Sequence, residues 1–78
     1  TLHSAKTRVA RYLLARCPAD QRALVLDVSK GVLASRLSIT PETFSRVTKQ
    51  LVTDGVIVVH GAHVTVLDHA ALSRAAAD

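Results

Sequence analysis

Residues 40–49, TPETFSRVTK, decide how this chain folds. Wound as a helix at about 100° per residue, they put Glu42, Ser45, Arg46 and Lys49 on one side. Phe44 and Val47, continued by Leu51, fall on the other. The start of that helix is written in the same run. Thr40 offers a capping hydroxyl, Pro41 suits the first helical position, and Glu42 lies near the positive end of the helix dipole. A helix of this kind docks by its apolar back, while its front, with two cations, a hydroxyl and a carboxylate, can bond both phosphates and base edges in a DNA major groove. An ordinary amphipathic surface helix shows the same division of faces, so the neighbouring segments must choose between the two readings.

Immediately upstream, Ser29 is a suitable N-cap for a short helix over residues 30–37, with Val32, Leu33 and Leu37 expected inward and Ala34 small enough for close contact. A tight turn, Ser38-Ile39-Thr40, separates it from the helix of residues 41–53. Two helices joined so closely make a helix-turn-helix, here spanning about residues 29–53. Further upstream, Leu2, Ala5, Val9, Tyr12, Leu13 and Arg16 follow helical spacing while Lys6, Arg8 and Arg11 lie outside the stripe, predicting a helix over about 3–16 that ends at Cys17-Pro18. After a polar loop, Leu24, Leu26 and Val28 alternate with Val25 and Asp27 as in a short strand.

Downstream, Asp54-Gly55 should end the third helix. Two β-branched runs, 56–59 and 63–67, then flank His60-Gly61-Ala62 and predict a hairpin whose inner face is Ile57, Val59, Val64 and Val66. Asp68 can cap a last helix over 69–76, anchored by Leu72, whose alanine-rich end is open to fraying. The order helix, strand, helix, helix, hairpin, helix describes an α+β winged helix-turn-helix: a three-helix core, a small antiparallel sheet with its wing at about 56–67, and a short C-terminal helix. The whole chain, residues 1–78, is expected to form this one domain.

Bulk properties agree. At 78 residues and 49% apolar there is room for one core, and with Tyr12 and Phe44 the only aromatics, Leu, Val, Ile and Ala must build it. A formal charge of +4 and a pI near 10.0 favour an anionic partner. No apolar run has the length of a membrane span and no leader resembles a signal peptide, so no membrane partner and a cytoplasmic, soluble protein are expected. The single Cys17 excludes an internal disulfide and reads as structural or incidental. A start at Thr1 rather than methionine suggests a domain cut from something longer. His60, His63 and His69 with Asp68 carry no CxxC or HExxH pattern, so no metal is expected. No nucleophile sits beside a base in a catalytic motif, so the chain is not expected to be an enzyme.

With RVARYLL in the first helix, VSKGVLASRLSITPETFSR through the helix-turn-helix, DGVI and HGAHVTVLD through the wing, and ALSR in the last helix, the chain resembles the C-terminal DNA-binding domain of the bacterial Crp/Fnr transcription regulators. Pro41 and Ser45 stand where the cyclic-AMP receptor branch has arginine and glycine, which makes the chain similar to the Fnr/Dnr-like branch and implies a TTGAT-like half-site read by the helix of residues 41–53.

Matched position by position, the resemblance gives Glu42, Ser45 and Arg46 the base-reading roles. Arg46 can donate a bidentate pair to guanine and Glu42 can accept from cytosine N4. Ser29, Lys30, Thr40, Thr43 and His60 fall where the family contacts phosphate, and Lys49 joins them from the polar stripe. Ser29 and Thr40 are equally well explained as helix caps. Ala62 departs from a cation common among relatives, and Ser38 from a glycine. If that turn needs positive φ, serine there costs about 1 kcal/mol.

The resemblance further implies double-stranded DNA as partner, a homodimer in the full-length protein held by a helix preceding Thr1, and RNA polymerase as a second protein contact. No cofactor is expected in this domain, since any sensor ligand or haem would belong to a preceding one. The rival reading is a winged-helix protein-protein interaction module, though a Glu-Ser-Arg-Lys stripe lacks the apolar anchor that such a face tends to carry.

Overall fold

The computed structural model describes residues 4–18 and 20–77. Leu2, expected on the first helix's stripe, lies outside them. The first helix, α1, runs Ala5–Arg16. Ser4 caps it by accepting from the Thr7 amide at 3.2 Å, and its hydroxyl also bonds Thr7 Oγ1 at 3.1 Å, which satisfies a threonine that is otherwise buried. Val9, Ala10 and Leu13 form the buried face. Arg16 is exposed despite its place in the helical spacing. It bonds the Tyr12 hydroxyl at 3.1 Å, lies over that ring and pairs with Asp27 at 3.5 Å.

Strand β1 covers only Ala23–Val25, shorter than the expected 24–28. It pairs antiparallel with β3 (His63–Val66), and Leu26 N–H still donates to Ala62 O at 2.8 Å. Beyond Leu26 the partner strand has turned into the wing, so the chain has no ladder left to extend. Burial alternates as expected, with Leu24 and Leu26 inside and Val25 and Asp27 outside. Strand β2 (Ile57–His60) lies on the other side of β3, giving the order β1-β3-β2. The hairpin turns on Gly61-Ala62, with Gly61 at φ 60, the conformation that a two-residue turn reserves for glycine at its first central position. Ile57, Val64 and Val66 are buried on its inner face and Val59 is half-buried beside them.

Helices α2 (Lys30–Arg36) and α3 (Pro41–Thr53) form the helix-turn-helix. Leu33 and Ala34 bury the inner side of α2 and Leu37 is half-buried, but Val32 is 46% exposed, contrary to expectation. At about 100° per residue, Leu33, Leu37 and Ala34 lie roughly 100°, 140° and 200° round from Val32, so Val32 points away from their common direction. Phe44, Val47 and Leu51 bury the back of α3.

Both helices end in the same Schellman geometry. Ser38 N–H bonds Ser35 O and Ile39 N–H bonds Ala34 O after α2; Gly55 N–H bonds Val52 O and Val56 N–H bonds Leu51 O after α3. The residue with left-handed φ is Gly55 (φ 76) in one and Ser38 (φ 60) in the other.

The last helix, α4, spans His69–Ala77. Asp68 Oδ1 accepts from Ala71 N–H at 3.0 Å, and Leu72 is fully buried. The alanine-rich end is helical to Ala77 and tied to α1: Ala76 is buried and its carbonyl accepts from Arg11 Nε at 2.8 Å.

Arg11 is one of three cations of α1 that reach the end of another helix. Arg8 donates to the carbonyls of Leu37 and Ser38 at the end of α2, and Lys6 lies 3.9 Å from Asp54, the C-cap of α3. Each of the other three helices thus has its C-terminal end, where the dipole is negative, met by a positive side chain of α1.

Candidate nucleic-acid interface

Burying Phe44, Val47 and Leu51 fixes the rotation of α3 about its own axis. Glu42, Ser45, Arg46 and Lys49 are consequently all exposed on the opposite face. Among the described residues, neither Lys30, Arg46 nor Lys49 takes part in an ion pair, and Glu42 does not pair with Arg46 one turn on. The cations on this face are therefore not neutralised by neighbouring carboxylates, in contrast to Lys6 and Arg16, which have acidic partners.

The front of α3 borders an open groove of about 240 Å³. It is lined by Lys30 from the start of α2, by Phe44, Ser45, Thr48, Lys49 and Val52 from α3, and by Val59 from β2. Three residues expected at the site, Lys30, Ser45 and Lys49, meet here although they come from two helices. Val52 and Thr48 were not singled out from sequence. The signal was present for Val52, because 45, 49 and 52 follow the same helical spacing.

At the helix starts, capping and outward donation can be separated. Ser29 Oγ accepts from Val32 N–H at 3.2 Å, leaving its own hydroxyl proton unassigned. Thr40 Oγ1 accepts from Thr43 N–H at 3.1 Å and donates to Thr43 Oγ1 at 2.8 Å. With the Thr40 proton so engaged, the hydroxyl of the pair left with a proton to offer outward is that of Thr43, which is half-buried.

His60 stands exposed at the wing tip, across the ladder from His63. His69 is elsewhere, its ring bonding Cys17 O at 3.3 Å, and among the described residues no three His, Cys, Asp or Glu side chains converge. Cys17 is fully buried and donates to Gln21 O at 3.3 Å; burial pushes its thiol pKa up, and the nearby Asp20 carboxylate adds to the shift. Among the described residues no helix is long and apolar enough to cross a membrane.

A capped α2, a tight turn, an α3 with an uncovered polar face and a β2–β3 wing beside it define a winged helix-turn-helix of the DNA-binding class. The family model of the Crp-like helix-turn-helix domain matches residues 7–75, and the chain belongs to that family. It is a domain of transcription regulators rather than of enzymes. No curated protein sequence matches the chain.

Among solved structures, DNR from Pseudomonas aeruginosa is 36% identical with a TM-score of 0.78 over 90% of this chain and 32% of its own. A CRP-family transcriptional regulator from Thermus thermophilus is 26% identical, with a TM-score of 0.82 over 99% of this chain and 42% of its own. FixK2 from Bradyrhizobium japonicum is 27% identical, with a TM-score of 0.81 over 91% of this chain and 37% of its own. The chain therefore spans well under half the length of these relatives.

Proposed function

We propose that this chain is the operator-reading part of a Crp/Fnr-type regulator and that α3 enters the major groove at a TTGAT-like half-site. The observation that carries the reading is the uncovered Glu42-Ser45-Arg46-Lys49 face on a helix whose back is buried. In this reading Arg46 donates two hydrogen bonds to guanine, Glu42 accepts from cytosine, and Ser45 contacts the adjoining base. Ser29, Lys30, Thr40, Thr43, Lys49 and His60 hold the phosphates and set the register of the helix in the groove.

Sequence similarity to DNR supports placing the chain in the Fnr/Dnr-like branch. The complete regulator is a cytoplasmic homodimer in this reading. RNA polymerase is its further protein partner, and any sensor ligand or haem lies in the portion of the regulator outside this chain.

Titration of the chain against a TTGAT duplex and a scrambled duplex of equal length tests the proposal. Arg46→Ala should weaken the matched complex by about 1–3 kcal/mol and leave the scrambled one much less affected. Lys30→Ala should weaken both alike. Equal losses on both duplexes for Arg46→Ala would refute the base-reading role.

A further inference from the structure

The turn between α2 and α3 holds a serine where the backbone is left-handed, Ser38 at φ 60. For an L-residue with a Cβ this conformation is disfavoured, and the equivalent position after α3 is occupied by glycine. The Schellman bonds use the carbonyls of Ala34 and Ser35. They leave the carbonyls of Leu37 and Ser38, at the turn itself, to other partners. Both accept from Arg8 Nη1 of α1, each at 3.3 Å.

The geometry points to Arg8 as a positioning residue for DNA reading: its guanidinium clamps the strained Ser38 turn and so fixes the angle at which α3 leaves α2. Glycine at the turn would remove the Cβ penalty and with it much of the need for a clamp. The DNA consequence follows from the placement of the site on both sides of this turn, with Ser29 and Lys30 at the start of α2 and Glu42 to Lys49 on α3. A turn that samples other angles presents the two halves in register only part of the time, and apparent affinity falls by that fraction. This inference rests on the DNA-binding reading above, but its structural half can be measured without DNA.

The test is a double-mutant cycle of Arg8→Gln and Ser38→Gly in the 78-residue chain, read by amide hydrogen exchange and by binding to matched and scrambled duplexes. With Ser38 present, Arg8→Gln should quicken exchange at the Ile39 amide about fivefold relative to amides within α1. It should also weaken the matched duplex by about threefold to tenfold, the range of one net hydrogen bond. In the Ser38→Gly background both effects should shrink to less than about twofold.

Equal effects in the two backgrounds, or an Ile39 amide indifferent to Arg8, would overturn the clamp. Should Arg8→Gln fail to fold, Arg8→Lys carries the same comparison, since an ammonium keeps the charge but loses the planar guanidinium. Lysine behaving as arginine in both measurements would also overturn it. A wild-type chain that does not discriminate the duplexes would sink the DNA reading, and the exchange data would still decide the role of Arg8.

Discussion

Glu42 is the side chain whose place on the exposed face of α3 most constrains the chemistry. A carboxylate close to DNA phosphates is repelled, and no ion pair with Arg46 offsets that cost among the described residues. In the proposed reading Glu42 accepts from a base edge, with some benefit from the positive end of the α3 dipole. Glu42→Ala is therefore expected to relax specificity more than it lowers affinity, with binding to nonspecific DNA improved. Competition titrations check this, and unchanged nonspecific binding together with full discrimination would remove Glu42 from the site.

Cys17 makes a different residue-scale prediction. Its thiol pKa is raised in the fold, chiefly by burial, so the folded state favours the protonated form. That contribution to stability is complete below the thiol pKa of the unfolded chain and is lost as pH rises through the higher folded value. Alkylation by iodoacetamide at neutral pH should accordingly follow unfolding, and rapid labelling of the native chain would contradict the buried placement.

At the scale of elements, the stability of the helix-turn-helix is distributed between caps and a shared back face. Thr40 secures the start of α3 through the Thr43 amide at 3.1 Å. Thr40→Ala should cost about 1 kcal/mol, within the usual range for an N-cap hydroxyl, whereas Thr40→Ser should cost much less. Thermal melts of the two variants measure the difference. Equal melting temperatures for alanine and wild type would mean that solvent satisfies the Thr43 amide as well as the cap does. The helix ends show the complementary arrangement. Gly55 closes α3 with its own backbone freedom, while Ser38 closes α2 against its preference and lies under Arg8.

For the whole molecule, the distribution of charge matters more than its sum. Lys6, Arg8, Arg11 and Arg16 of α1 are spent on ties to Asp54, to the end of α2, to the end of α4 and to Asp27. The pairs with Asp54 and Asp27 are already netted in the formal charge of +4, and Arg8 and Arg11 stay charged while bonding carbonyls, so what differs among the cations is where they lie. Among the described residues, Lys30 at the start of α2 and Arg46 and Lys49 on the exposed face of α3 take part in no ion pair.

With so few phosphates within reach, one copy should bind weakly and with marked salt dependence. Fusion to an unrelated parallel coiled coil should raise affinity for a full palindrome by about 10²–10⁴ if the linker allows both copies to engage. Half-sites centred about 34 Å apart present successive major grooves on one side of the duplex. Inserting half a helical turn between them should remove most of the gain. An affinity indifferent to dimerisation and spacing would exclude two-fold readout.

Much of this architecture is legible in the chain because it rests on interactions between near neighbours. Thr40 and Ser29 cap amides three residues ahead, Phe44, Val47 and Leu51 repeat at helical spacing, and Gly61 lies between two β-branched runs, although His60, expected in the turn, proves to be the last residue of β2. Such relations are encoded in sequence separation itself, so the winged helix-turn-helix and the polar face of α3 follow without coordinates.

What tertiary structure alone decided lies between residues far apart in the chain. β1 stops where β3 turns into the wing, and Lys30 meets Ser45 and Lys49 across a groove. Arg8 reaches carbonyls 29 and 30 positions away, and Arg11 one 65 positions away. A cation outside the apolar stripe of α1 reads as a solvated charge until the fold brings the ends of other helices beside it. Which carbonyl a long side chain finds depends on how the helices cross, and that is set by the packing of the common core.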